Sequence, residues 1–148
     1  MTMAWLVRRD LSRRDVRLLA SAFVAQVALG TAMRVAPISV LCRIVRRLRP
    51  IASRIRLAPE ERVAWAIEAV GRRLPWISTC LVRALAADLL LSGPEGRGGV
   101  KIGVTRSEDG ALAAHAWYER GGRIVVGGAE VGAYVDFMTL DTALAERA

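Results

Sequence analysis

One histidine, His115, and two cysteines, Cys42 and Cys80, are all that the 148 residues offer in the way of soft metal ligands. A lone histidine argues against a multi-histidine metal centre. Both cysteines fall in segments that read as helical, with no zinc spacing and no disulfide framework, so two free thiols and no cofactor are expected. Aromatic residues are scarce at 5%, and neither a zinc-finger nor a helix-turn-helix signature accompanies the positive charge, so a nucleic-acid partner is not expected. The glycine-rich stretch SGPEGRGG has no lysine and lacks the spacing of a phosphate-binding loop. At the N-terminus, MTMAWLVRRD carries arginines, but no apolar run of signal-peptide type follows directly and no small-residue cleavage site closes one, so a cytoplasmic location is expected. The longest uncharged run, residues 18–33, includes Ser21, Gln26, Gly30 and Thr31. That is short and polar for a membrane span; a buried helix is expected, with peripheral membrane contact as the minor alternative.

What is present is a chain 53% hydrophobic and 24% charged, long enough for one domain with a core and too apolar for disorder. Its net charge of +8 is unevenly spread. Residues 1–60 hold twelve arginines against Asp10, Asp15 and Glu60, a balance of +9, while ten basic and eleven acidic residues leave the remainder at −1. The arginine-rich half attracts polyanions, so an acidic membrane, an acidic peptide or protein, or nucleic acid are the partner classes that charge alone admits.

Periodicity divides the chain in two. From Ser12 to about Gly71 apolar residues recur three and four apart. Ser12 caps a first helix, Pro37 punctuates, ISVLCRIVRRL continues until Pro50 is expected to stop it, and APEERVAWAIEAVGRRL has glutamates in its first turn and arginines in its last. Ser78 or Thr79 then caps a helix that begins at Cys80 and ends at the glycine-rich break. Beyond the break the period falls to two: VKIGV, ALAAHAWYE and RIVVGG, joined by TRSEDG and RGG turns, predict an antiparallel meander. The final VGAYVDFMTLDTALAERA reads as a short strand or loop followed by a helical tail. On the middle strand His115, Trp117 and Glu119 share one face.

Cys80 and His115 carry the chemistry. A thiol in the first turn of a helix lies at the positive end of the helix dipole and beside unpaired amides, which favour the thiolate and can also hold an oxyanion. A nucleophilic thiolate needs a base, and the single histidine follows on a strand 35 residues later. Helix-borne cysteine followed by strand-borne histidine is the order of papain-like and transglutaminase-like enzymes. Cys42, mid-helix among apolar neighbours in SVLCRIV, reads as core. Arg83, one turn into the Cys80 helix, is placed to hold a carboxylate or thiolate, or simply faces solvent.

The run CLVRALAADLLL, the glycine-rich break, VKIGVTR and AHAWYERGGRIVVGG together resemble the transglutaminase-like leader peptidases of lasso peptide biosynthesis, relatives of the C-terminal domain of the microcin J25-processing protein. The resemblance covers residues 57–128. It implies an α+β fold, a nucleophile helix packed on a small antiparallel sheet, with a helical region over residues 1–56 before a catalytic core over 57–148. The implied activity is a cysteine protease that removes the leader from a ribosomally made precursor, working with a small leader-binding protein and a separate macrolactam-forming cyclase. Cys80 matches the family's nucleophile and His115 its general base. The family commonly places an aspartate about a dozen residues after the histidine; here Gly127 and Gly128 stand in that stretch. Glu130 is the preferred third member, with Asp136, a backbone carbonyl or a water as alternatives. A weakly active or inactive binding module is the rival that the missing acid suggests, and a basic helical protein docking on membrane or nucleic acid is the rival that the arginine-rich half suggests.

Overall fold

The computed structural model describes residues 11–54, 58–93 and 98–140. Four helices, α1 (Arg13–Ala32), α2 (Ile38–Arg54), α3 (Glu60–Arg73) and α4 (Cys80–Leu91), precede four strands, β1 (Gly98–Arg106), β2 (Leu112–Arg120), β3 (Arg123–Val126) and β4 (Val135–Leu140). A 3-10 turn over Gly128–Ala133 lies between β3 and β4. The fold is α+β, as expected, with the helical region ahead of a small antiparallel sheet.

The helix starts follow their caps. Ser12 Oγ accepts from the Asp15 amide while the Asp15 carboxylate accepts from the Ser12 amide, a capping box. Arg62 of α3 also pairs with Asp15, and that contact is the largest cause holding its carboxyl below the usual range. Pro59 heads α3, followed by Glu60 and Glu61 in the first turn, with Arg72 and Arg73 in the last.

Two expectations change. Pro50 does not stop α2, which runs on to Arg54. Proline at that place forfeits only the bond to the Arg46 carbonyl, and its ring is on the exposed side, while Leu41, Val45 and Arg49 remain buried on the opposite side. The uncharged run is buried on one face only. Leu18, Ala22, Ala25, Gln26 and Leu29 of α1 enter the core, but Phe23 and Val24 stay exposed, Val24 at 62%. By length and composition, at mean hydropathy 1.2, α1 is the one described helix apolar enough to cross a bilayer.

α4 is the centre of the packing, touching α1, α2, α3 and β1–β3. It is apolar nearly all round, as a helix enclosed on every side must be. Val82, Leu85, Ala86 and Leu91 join Leu41, Val45, Ile67 and Val70 from the other helices and Val100, Ala116, Tyr118 and Val126 from the sheet in one core. Near its C-terminal end the buried Asp88 accepts two bonds from Arg49 Nη2, at 2.7 and 2.6 Å, together with one from Ser92 Oγ at 2.6 Å.

The sheet order is β3-β2-β1-β4, antiparallel throughout. The strand left open in the final segment is β4, which pairs with β1; the expected helical tail lies outside the described residues. Gly121 and Gly122, both at positive φ, make the tight turn between β2 and β3. Ala116 and Tyr118 face the helices. Trp117, on the face it shares with His115, is also buried and fills the space over Gly103, where a side chain would meet its ring at 2.8 Å. β3 pairs only with Tyr118–Arg120, leaving the β2 edge beside His115 to be met by Gly127 instead of a strand.

Candidate active site

Cys80 is the first residue of α4 and half-buried. Thr79 is the cap, its hydroxyl accepting from the Val82 amide at 3.4 Å, and the first intrahelical bond runs from the Arg83 amide to the Thr79 carbonyl. The amides of Cys80 and Leu81 therefore precede the helical ladder and are turned toward the helix entrance, where a negative charge is stabilised.

His115 lies across the same groove, a cleft of about 610 Å³ lined by Glu68, Arg72, Cys80, Arg83, His115 and Tyr134 among others. Its ring is held on three sides. Trp117 stacks with centroids 6.2 Å apart, Tyr134 lies tilted at 5.2 Å, and Nε2 is 2.8 Å from the Gly127 carbonyl oxygen. A carbonyl can only accept, so His115 donates from Nε2 and the neutral ring keeps its lone pair on Nδ1. The structure thus puts a backbone carbonyl behind the imidazole at the place where an acid was sought. The 3-10 turn holds the backbone of Glu130, and β4 that of Asp136, paired with Gly103; the side chains of both lie outside the described residues.

Gly127 earns its identity twice. Its φ of 84° and ψ of 16° are left-handed, and a Cβ would stand 3.1 Å from the Ala116 carbonyl and 3.2 Å from the Trp117 Cα. Its amide donates to Glu68 Oε1 at 3.1 Å. The other oxygen of Glu68 receives Arg83 Nη1 at 3.3 Å, and Arg83 Nε donates to Ser78 Oγ at 3.2 Å. Ser78 in turn donates to the fully buried Gln26, whose amide nitrogen donates to the Ile67 carbonyl at 3.0 Å. Arg83 therefore holds a carboxylate, one of the two roles open to it from sequence. Cys42 is 3% exposed within the core, and burial pushes its thiol up from the ordinary value.

Gln26 and Glu68 were not singled out from sequence. Gln26 had a signal, a polar residue on the buried stripe of an apolar helix. Glu68 had none, because a glutamate in mid-helix ordinarily reads as solvated surface. Among the described residues no group of three or more potential metal ligands is assembled.

Helix-borne Cys80 and strand-borne His115 line one groove, the pairing of residue types that thiol acyl transfer uses. A family model described as the transglutaminase-like superfamily matches residues 19–139. The chain belongs to that superfamily, which includes cysteine proteases. Searches of curated proteins and of solved structures returned no match.

Proposed function

We propose that this chain is a cysteine peptidase that removes the leader from a ribosomally made precursor of the lasso peptide type. The observation that carries the reading is a groove holding both Cys80, at the first position of α4, and His115, whose Nε2 is engaged by Gly127 so that Nδ1 is left as the base. His115 Nδ1 takes the thiol proton. The Cys80 thiolate attacks the carbonyl carbon at the leader–core junction, and the carbonyl electron pair moves to oxygen, facing the first-turn amides. Collapse of this adduct breaks the C–N bond as His115 gives its proton to the departing core amine. Water, deprotonated by His115, then attacks the thioester, freeing the leader carboxylate and returning the proton to sulfur.

The precursor leader, a small leader-binding protein and a separate cyclase are the partners of this reading, in the cytoplasm. Arg13, Arg14 and Arg17 on α1 and Arg43 and Arg47 on α2 are exposed, and they supply a docking face for an acidic partner surface. Association that weakens with added salt supports that face; salt-insensitive association overturns it. The catalytic reading is tested by mixing the purified protein with a precursor and its leader-binding protein and following the products by mass spectrometry. Wild-type protein releases leader and core, and Cys80→Ala leaves the precursor intact. Cleavage retained by Cys80→Ala would end the reading.

A further inference from the structure

We propose that Glu68 is a positioning residue that acts on His115 through the backbone of Gly127, an inference resting on the peptidase reading above for its catalytic consequence. The third member of the site is then composite: a carbonyl from one residue, held in place by a carboxylate from another. Glu68 comes from α3, 59 residues from Gly127 in the chain. Gly127 is bonded on both sides of its Cα, its amide to Glu68 Oε1 at 3.1 Å and its carbonyl to His115 Nε2 at 2.8 Å.

The amide and the carbonyl belong to different peptide groups, so the link between them is the pair of torsions at Gly127. A glycine has wide freedom in those torsions. Pinning its amide against a carboxylate removes much of that freedom, and the carbonyl is then aimed at the imidazole. A charged acceptor is well suited to this, because a hydrogen bond to a carboxylate is stronger than one to a neutral group. Glu68 is itself held by Arg83, which passes Gly71 so closely that a Cβ there would lie 2.5 Å from Arg83 Nε. Arg83 continues to Ser78, two residues before the nucleophile. One polar chain thus fixes both the carbonyl behind the base and the entrance to the nucleophile helix.

Because His115 is the sole histidine, ¹⁵N-histidine labelling gives an NMR spectrum of this ring alone. Wild-type protein should show a single neutral tautomer, protonated at Nε2. The Glu68 side chain is 30% exposed, so shortening it opens no core cavity. Glu68→Ala should give a mixture of tautomers and a fall in kcat of about 10- to 100-fold at unchanged KM, the range for groups that orient a histidine from behind. Glu68→Gln, which still offers an oxygen to the Gly127 amide, should restore the single tautomer and most of kcat. Should Glu68→Ala not fold, Glu68→Asp keeps the charge but is a methylene too short, and it should give the same mixture. A single Nε2–H tautomer surviving in a folded Glu68→Ala or Glu68→Asp protein would overturn the proposal, as would an Nδ1–H tautomer in the wild type. The tautomer is read without substrate. A precursor left intact by the wild type would therefore overturn the peptidase reading alone.

Discussion

The two ends of α4 hold polar side chains for opposite purposes, and each end has a cysteine beside it. At the C-terminal end Asp88, Arg49, Ser92 and Tyr118 are buried and bonded to one another, and Cys42 from α2 lies within electrostatic reach of Asp88 and Arg49. Every one of these groups is sealed from solvent, and burial pushes up both the Cys42 thiol and the Tyr118 hydroxyl. At the N-terminal end the bonded chain runs from the buried Gln26 and Ser78 out to the part-exposed Arg83 and Glu68, and Cys80 opens onto a groove. Where on a helix a thiol is placed decides what surrounds it. Mid-helix, its neighbours have satisfied amides and apolar contacts; at the first position it meets free amides and water.

The largest effect expected from breaking this contrast is on chemistry. On the proposed peptidase reading, Cys80→Ala should lower the rate of precursor cleavage by at least about 10³-fold, because among the described residues no other thiol lines the groove. Cys42→Ala should leave the rate within about twofold while lowering stability modestly, by about 1 kcal/mol, through the small cavity it opens. Mass-spectrometric time courses and denaturant melts on the two variants measure both axes. A loss of cleavage with Cys42→Ala at intact stability would break the division between the ends.

Next comes the buried ion pair. Arg49→Met removes a charged partner that makes two of the hydrogen bonds to the fully enclosed Asp88. The expected loss is about 3–5 kcal/mol, the usual consequence of deleting one member of a buried ion pair. Chemical denaturation followed by circular dichroism reads it. A loss under about 1 kcal/mol would mean that Asp88 is neutralised or rehydrated at little cost.

Gly127→Ala sits between the two kinds of effect. An alanine held at left-handed φ costs about 1–2 kcal/mol, and its Cβ would crowd the Ala116 carbonyl at 3.1 Å. Relief by turning the peptide withdraws the carbonyl from His115, so kcat should fall further than stability explains. A melt and a cleavage assay on the same preparation separate the two; normal kcat in a protein with a lowered melting temperature would detach the carbonyl from catalysis.

How much of this was legible beforehand depends on the range of the interaction. Caps act over three or four residues, so Ser12, the Pro59 start and a cap at Ser78 or Thr79 could be read in place, the structure choosing Thr79, and so could the two-glycine turn at 121–122. The alternation around His115 gave its face. Cys80 and His115 could be paired because the chain holds few alternatives, a cysteine at a helix start and one histidine. Pro50 misled because its local rule was outweighed by the contacts of Leu41, Val45 and Arg49 on the other side of α2. The strand β4 reads ambiguously in sequence and becomes a strand through pairing with β1. The chain Gln26, Ser78, Arg83, Glu68, Gly127 joins segments dozens of residues apart, and no local pattern marks such partners. A glycine pair in place of an acid reads as a loss in sequence, whereas in three dimensions its first member, Gly127, is what lets a carbonyl reach the ring.

The smallest effect lies in the alkaline limb of stability, and it belongs to the C-terminal end of α4. Cys42 and Tyr118 ordinarily titrate near 9.0 and 10.0, and in the fold both are raised, first of all by burial. Each therefore keeps its proton in the native state at pH values where the unfolded chain has lost it. Stability is undiminished below about pH 9 and declines as pH climbs through the unfolded values toward the raised ones, by at most about 1.4 kcal/mol per pH unit for each group. Tyr118→Phe should cost about 1 kcal/mol at neutral pH through loss of the 2.8 Å contact with Ser92, yet flatten the alkaline decline. Cys42→Ala should remove the part that begins nearest pH 9. Melting temperatures measured from pH 7 to 11 on the three proteins decide the matter. Parallel curves would place the alkaline sensitivity elsewhere and weaken the assignment of Cys42 to the sealed end of the helix.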